Sequence, residues 1–215
     1  MGLPANVANA TSNVALLPGA ATSAWTYKDE LGPVAAISVR LLAALTFIFG
    51  LVGSVLLVLT PTKTFDNIIP WLLLFAFVIM AFGKSGADWL HRRLSIGKPT
   101  LLTAQALLGI YGGYFGGGVG LITTALYGLL ANIRPRELFA MRTAMLAVAN
   151  LAAALVFIGF TMVAWPVCIP MLLGSMIGGW LGAIAGKRLS PNAVRVWTLM
   201  VTGGTTAAFF VRAYG

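Results

Sequence analysis

The chain has 215 residues, 59% of them hydrophobic and 9% charged, with a formal net charge of +9. Soluble domains carry about 25% charged residues, so this composition excludes a water-soluble globular fold and points to an all-α integral membrane protein. The basic residues stand at the ends of apolar stretches, as membrane topology demands, and form no water-facing cluster of the kind nucleic acid needs; no nucleic-acid partner is expected.

A membrane crossing takes about 20 mostly apolar residues. The first candidate, 5–27, carries a polar cluster of Asn9, Thr11, Ser12 and Asn13 and ends in Trp25 and Tyr27. Its start, MGLPANVANATSN, has neither a basic leader nor a clean apolar core, so no signal peptide is expected. The second candidate, 34–60, has Arg40 near its start, placed to snorkel to the surface. The third, 69–83, is short. A basic stretch follows, with Lys84, Arg92, Arg93 and Lys98, in which His91 reads as a solvated residue. Gly83-Lys84-Ser85 resembles the end of a P-loop, but Val78 stands where that motif needs glycine. After an unusual segment at 100–131 come three more candidates, 138–164, 166–186 and 192–211. Trp71, Trp89 and Trp165 fall near span ends, as interfacial anchors do. The single cysteine, Cys168, cannot form an intramolecular disulfide.

Shifting the chain by 132 residues sets Thr11 on Thr143, and Thr46, Gly50 and Ser54 on Gly178, Gly182 and Gly186. Both are small-xxx-small ladders, which let helix backbones approach closely in lipid. With a slightly different offset, Thr60-Pro61 meets Ser190-Pro191. The chain therefore reads as two related halves, 1–99 and 100–215, in one membrane domain. The counterpart of 100–131 would fall ahead of Met1, so the first half is expected to lack its first element.

Segment 100–131 holds seven glycines within twelve residues, from Gly109 to Gly120. As one helix it would reach about 48 Å, too long for a bilayer without strong tilt. Each glycine also weakens a helix by up to about 1 kcal/mol relative to alanine. If the segment crosses once, Lys28, Lys84, Arg92, Arg93, Lys98 and Arg212 face Lys63, Arg134, Arg136, Arg142, Lys187, Arg188 and Arg195, with no bias. If it enters and leaves on one side, only Lys63 and Arg212 are separated from the other eleven. The positive-inside rule selects the second arrangement, a broken or re-entrant helix with its ends on the cytoplasmic side. Three full crossings then remain in each half, an odd number, which makes the two halves inverted repeats, a plan common among secondary transporters.

Four stretches, VANATSNVALLPGAATSAWTY, LLGIYGGYFGGGVGLITTALY, AMRTAMLAVANLAAALVFI and GSMIGGWLGAIAGKRLSPNAVRVW, together resemble the TauE/SafE sulfite-exporter family, also called the 4-toluene sulfonate uptake permease family. The resemblance covers nearly the whole chain. It implies a secondary transporter of small sulfur-containing anions of the sulfite, sulfonate or thiosulfate type, multi-pass in the plasma membrane (the inner membrane of a bacterium). Members of that family usually open with a Gly-rich apolar element just ahead of the VANATS-like stretch, in agreement with the gap that the repeat exposes.

A carrier of anions needs donors that replace hydration without binding irreversibly. Backbone N–H groups at a helix N-terminus suit this, and glycine lets the ligand approach them. Gly116, Gly117, Gly118 and Gly120 are the leading candidates for substrate binding, and a side chain at Gly117 is expected to block approach and strain a left-handed backbone. Asn9, Thr11, Ser12 and Asn13 are candidate lining, since polar groups in lipid need partners or a water-filled cavity. Thr143 and Asn150, seven residues apart, share one helix face and join the set. Arg142 either attracts the anion from the rim or snorkels to the surface. All five acids, Asp29, Glu30, Asp66, Asp88 and Glu137, lie in loops or at span ends, which disfavours cation transport. No catalytic set, metal cluster or cofactor is expected, and a homo-oligomer is compatible with the sequence. The alternative function is an anion channel, or a non-transporting membrane subunit of a larger complex.

Overall fold

The computed structural model describes residues 2–91, 97–130, 135–186 and 189–214. Arg92, Arg93, Asn132, Arg134, Lys187 and Arg188, and the side chains of Lys84, Asp88, Trp89, His91, Arg136 and Arg195, lie outside the described residues. The described chain is helical. Its helices are α1 (Ala5–Thr26), α2 (Val39–Leu59), α3 (Thr62–His91), α4 (Lys98–Tyr114), α5 (Val119–Leu130), α6 (Pro135–Gly159), α7 (Trp165–Gly186) and α8 (Pro191–Tyr214). A single 3-10 turn, Lys28–Glu30, follows α1.

Two boundaries differ from the sequence expectation, each for a local reason. The second span starts at Val39 because Val34 and Ile37 exchange backbone hydrogen bonds (3.0 and 2.8 Å) around Ala35 and Ala36, both in the left-handed region. Ser38 then caps α2, its hydroxyl accepting from Leu41 N at 3.3 Å. The third span is not the short 69–83: α3 runs for 30 residues with Pro70 inside it. Proline removes one N–H and usually kinks a helix, yet helices in lipid tolerate it where neighbours support the turn. Pro191 opens α8, and Pro61 stands just before α3 with its carbonyl accepting from Phe65 N at 3.0 Å, both where a missing N–H costs least; Ser190 Oγ accepts from Ala193 N at 3.2 Å.

Four helices are long and apolar enough to cross a membrane by length and composition, over Val39–Leu59, Thr62–Phe82, Glu137–Gly159 and Trp165–Gly182. The sequence expected six conventional spans; six helices are long, and among the described residues α2, α3, α6 and α7 also carry the apolarity a span needs, while α1 does not. In α1 the reason is its polar cluster, and Thr11 and Asn13 are buried against other helices instead of facing lipid.

Within the bundle α1 packs on α6 and α7, α2 on α4 and α6, α3 on α5 and α8, and α5 on α6. Exchanging α1, α2 and α3 for α6, α7 and α8 turns the α1–α7 contact into the α6–α2 contact and leaves α1–α6 and α3–α8 unchanged. That pattern supports, as a proposal, the two related halves read from the sequence. Lipid tails are as apolar as the side chains, so helix association rests on close packing. The core accordingly uses small residues: Ala10, Ala15, Ala153 and Ala154 surround Leu57, Phe65, Phe157 and Cys168 at the junction of α1, α2, α3, α6 and α7.

Candidate functional site

Residues 98–130 form an antiparallel helical hairpin. Gln105 on α4 accepts from the Tyr127 hydroxyl on α5 at 2.7 Å, and a Cβ on Gly112 would lie 3.3 Å from Val119. Advancing along α4 therefore retreats along α5, and the chain doubles back at Phe115–Gly118. The first arm is the longer, 17 residues against 12 in the second. A buried polar chain fixes the hairpin to α2: Gln105 Nε2 donates to Thr46 Oγ1 at 2.5 Å, and Thr46 donates to Leu42 O at 2.7 Å.

The bend itself depends on glycine at two positions. Gly116 has φ +73° and Gly118 φ +78°, a region in which L side chains are strained. Gly117 is not left-handed, so the strain expected there belongs to its neighbours. A Cβ at Gly117 would meet the Phe115 ring at 2.6 Å, which a ring rotation relieves. A Cβ at Gly116 would overlap the Asn13 amide. Gly118 O accepts from Ile122 N at 3.0 Å, so Gly118 caps α5. The N–H groups of Val119, Gly120 and Leu121 then have no carbonyl within their own helix to bond, and the helix dipole adds partial positive charge at the same point.

This turn faces a cavity of about 830 Å³, within the range of about 300–1,000 Å³ common for ligand pockets. Ten of the eleven sequence candidates line it: Gly116, Gly117, Gly118, Gly120, Asn9, Ser12, Asn13, Arg142, Thr143 and Asn150. Thr11 does not. Its hydroxyl donates to Val7 O at 2.7 Å and accepts from Ala164 N at 3.0 Å, tying α1 to the start of α7. Within the cluster Asn9 Nδ2 donates to Tyr114 O (3.3 Å), Asn13 Nδ2 to Asn9 O (3.1 Å) and Ser12 Oγ to Asn9 O (2.9 Å). Those bonds set the asparagines against the hairpin bend. Thr143 Oγ1 bonds carbonyls of its own helix, Phe139 and Ala140, both at 3.0 Å.

Arg142 is drawn further inward than a rim residue. A Cβ on Gly120 would lie 2.8 Å from Arg142 Nε, so the missing side chain at Gly120 is what gives the arginine its path along α5. Its guanidinium lies 5.9 Å from the Phe139 ring, a cation–π approach, and Tyr27 is within electrostatic reach. Among the described lining residues Arg142 is the one cation, and none is a carboxylate. Tyr27, Phe139 and Ser175 are among the lining residues that sequence reasoning missed. Tyr27 reads as an interfacial anchor, Phe139 as ordinary apolar helix, and Ser175 carries no signal among the glycines of α7. Gly178 and Gly182 also line the cavity; the repeat shift, which pairs them with Thr46 and Gly50, is the signal that could have found them.

Over residues 1–209 the chain matches the family described as Sulfite exporter TauE/SafE. It is also 27% identical over 206 residues to a Haemophilus influenzae protein named "Probable membrane transporter protein", covering 94% of this chain and 80% of the relative. No solved structure matches.

Proposed function

We propose that this chain, which belongs to the sulfite exporter TauE/SafE family, carries small sulfur-containing anions of the sulfite, sulfonate or thiosulfate type across the plasma membrane. Its family and its likeness to a relative named as a membrane transporter make it a multi-pass membrane transporter. One observation carries the finer reading: the Arg142 guanidinium shares a cavity with the first turn of α5, and none of the described lining residues is a carboxylate. An anion entering that cavity exchanges water for the N–H groups at the start of α5 and for one permanent positive charge. Arg142 thus takes a larger share of the binding than the rim role expected from sequence. The apolar remainder of the wall keeps the dielectric low and strengthens the few polar contacts.

The reading is tested by flux of sulfite and of thiosulfate in proteoliposomes, with chloride as the comparison anion. Arg142→Gln removes a charge-assisted donor, worth about 1.5–3 kcal/mol, and should raise the half-saturating concentration about 10- to 100-fold. Gly116→Val places a branched side chain on a left-handed backbone and into the Asn13 amide, so sulfite flux should fall to background. Gly117→Val, opposed only by a movable ring, should retain more flux than Gly116→Val. Wild-type half-saturation in Arg142→Gln would sink the proposal.

A further inference from the structure

The bend of the hairpin is held from behind by one residue that the cavity does not touch. Tyr111, on α4, points its hydroxyl at Gly117 O, 2.8 Å away, and the same oxygen lies 3.2 Å from Leu72 O on α3. Its ring is set by an edge contact with Phe115 and a tilted contact with Phe75, both with centroids 5.9 Å apart. Tyr111 does not line the cavity, whereas Gly116, Gly117 and Gly118 do.

A trans peptide is planar, and its C=O and N–H point in opposite directions. Tethering the Gly117 carbonyl to Tyr111 therefore turns the Gly118 N–H to the opposite side of the loop. Nothing in the loop backbone enforces this by itself. Glycine accepts positive and negative φ almost equally, so the Gly117–Gly118 peptide, set between glycines, can rotate at small cost. Rotated, it would present a carbonyl oxygen where an anion needs a donor. The hydroxyl has one proton and two carbonyls in range, so the loop competes with α3 for it.

We propose that Tyr111 is a positioning residue for the anion site: it holds the Gly117–Gly118 peptide with its N–H toward the cavity and links that orientation to the placement of α3. The proposal rests on the reading of the cavity as an anion site. Tyr111→Phe keeps the ring between Phe75 and Phe115 and removes only the tether. The half-saturating sulfite concentration in proteoliposomes should rise about fivefold, the size of one lost neutral hydrogen bond, with maximal flux and thermal midpoint near wild type. Amide exchange at 116–120 should become faster. Tyr114→Phe, three residues on, loses only a 3.4 Å contact with Thr60 Oγ1 and should behave as wild type. Half-saturation is independent of the amount of folded protein, so it remains readable if Tyr111→Phe folds in lower yield. An unchanged half-saturation, whether or not maximal flux or stability falls, would overturn the proposal and leave Tyr111 a packing residue. The two readings fail separately: a null result in Arg142→Gln removes the anion site and Tyr111's role with it, whereas a null result in Tyr111→Phe alone removes only the tether.

Discussion

Helices α2 and α7 carry equivalent small-residue ladders, and the fold uses them differently. Of the α2 ladder, the Gly50 carbonyl lies where a Cβ at Gly113 of α4 would fall, and beside the ladder a Cβ at Gly53 would overlap the Ile110 carbonyl of α4. The two backbones are in direct contact. On α7 a Cβ at Gly174, Gly178 or Gly182 would meet nothing within 4 Å, although Gly178 and Gly182 pair by repeat shift with Thr46 and Gly50. Among the described glycines of α7, Gly179, on another side of the helix, is the one that is filled, by the Gly19 backbone of α1. A third of the α2 apolar window is buried (33%), against 6% for α7. A ladder of small residues therefore states that a backbone can approach; whether one does depends on what the rest of the chain brings there.

The largest effect that could break this comparison comes from adding side chains at the small-residue positions on and beside these helices. Gly53→Leu or Gly113→Leu drives a side chain into backbone, which cannot give way as a flexible side chain does. The loss should reach about 3 kcal/mol or more, read as a collapse of folded yield and thermal midpoint in detergent. Gly174→Leu and Gly178→Leu should stay within about 0.5 kcal/mol of the parent. Equal damage on both helices would show that α7 is covered in the folded protein. Smaller, and a direct map of the same difference, is cysteine labelling by a lipid-soluble maleimide. Cysteine at Gly174, which the cavity does not touch, should react and cysteine at Gly50 should not; protection at Gly174 in native membranes would place further polypeptide on α7. Next comes the buried polar chain that joins α2 to the hairpin. Gln105→Leu removes the acceptor of the buried Tyr127 hydroxyl, while Thr46 still donates to Leu42 O, and should cost about 1–3 kcal/mol, measured as a shift in thermal midpoint. Smallest is the tie between α3 and α8, where Trp71 Nε1 donates to the Tyr214 hydroxyl at 2.9 Å among exposed residues. Trp71→Phe should change stability by less than about 1 kcal/mol. A larger loss would mean that α3–α8 packing holds the bundle more than its exposure indicates.

Composition and spacing alone made the chain a helical membrane protein. Water cannot solvate such a surface, and only structures that satisfy their own backbone survive in lipid. The break at 100–131 was equally legible, because seven glycines and the positive-inside count act through local conformation and local charge. The site was legible as a set of residue types near a helix start. Tertiary structure decided which of them meet. Thr11 and Asn13 stand two residues apart on α1, yet one faces the start of α7 and the other faces Gly116, since successive residues on a helix point in different directions. The position of Arg142 could not be read either: a long side chain can snorkel outward or lie inward, and the bare face of Gly120, on another helix, opens the inward path. Contacts between residues far apart in the chain are long-range packing events, and local pattern carries no information about which pair will meet.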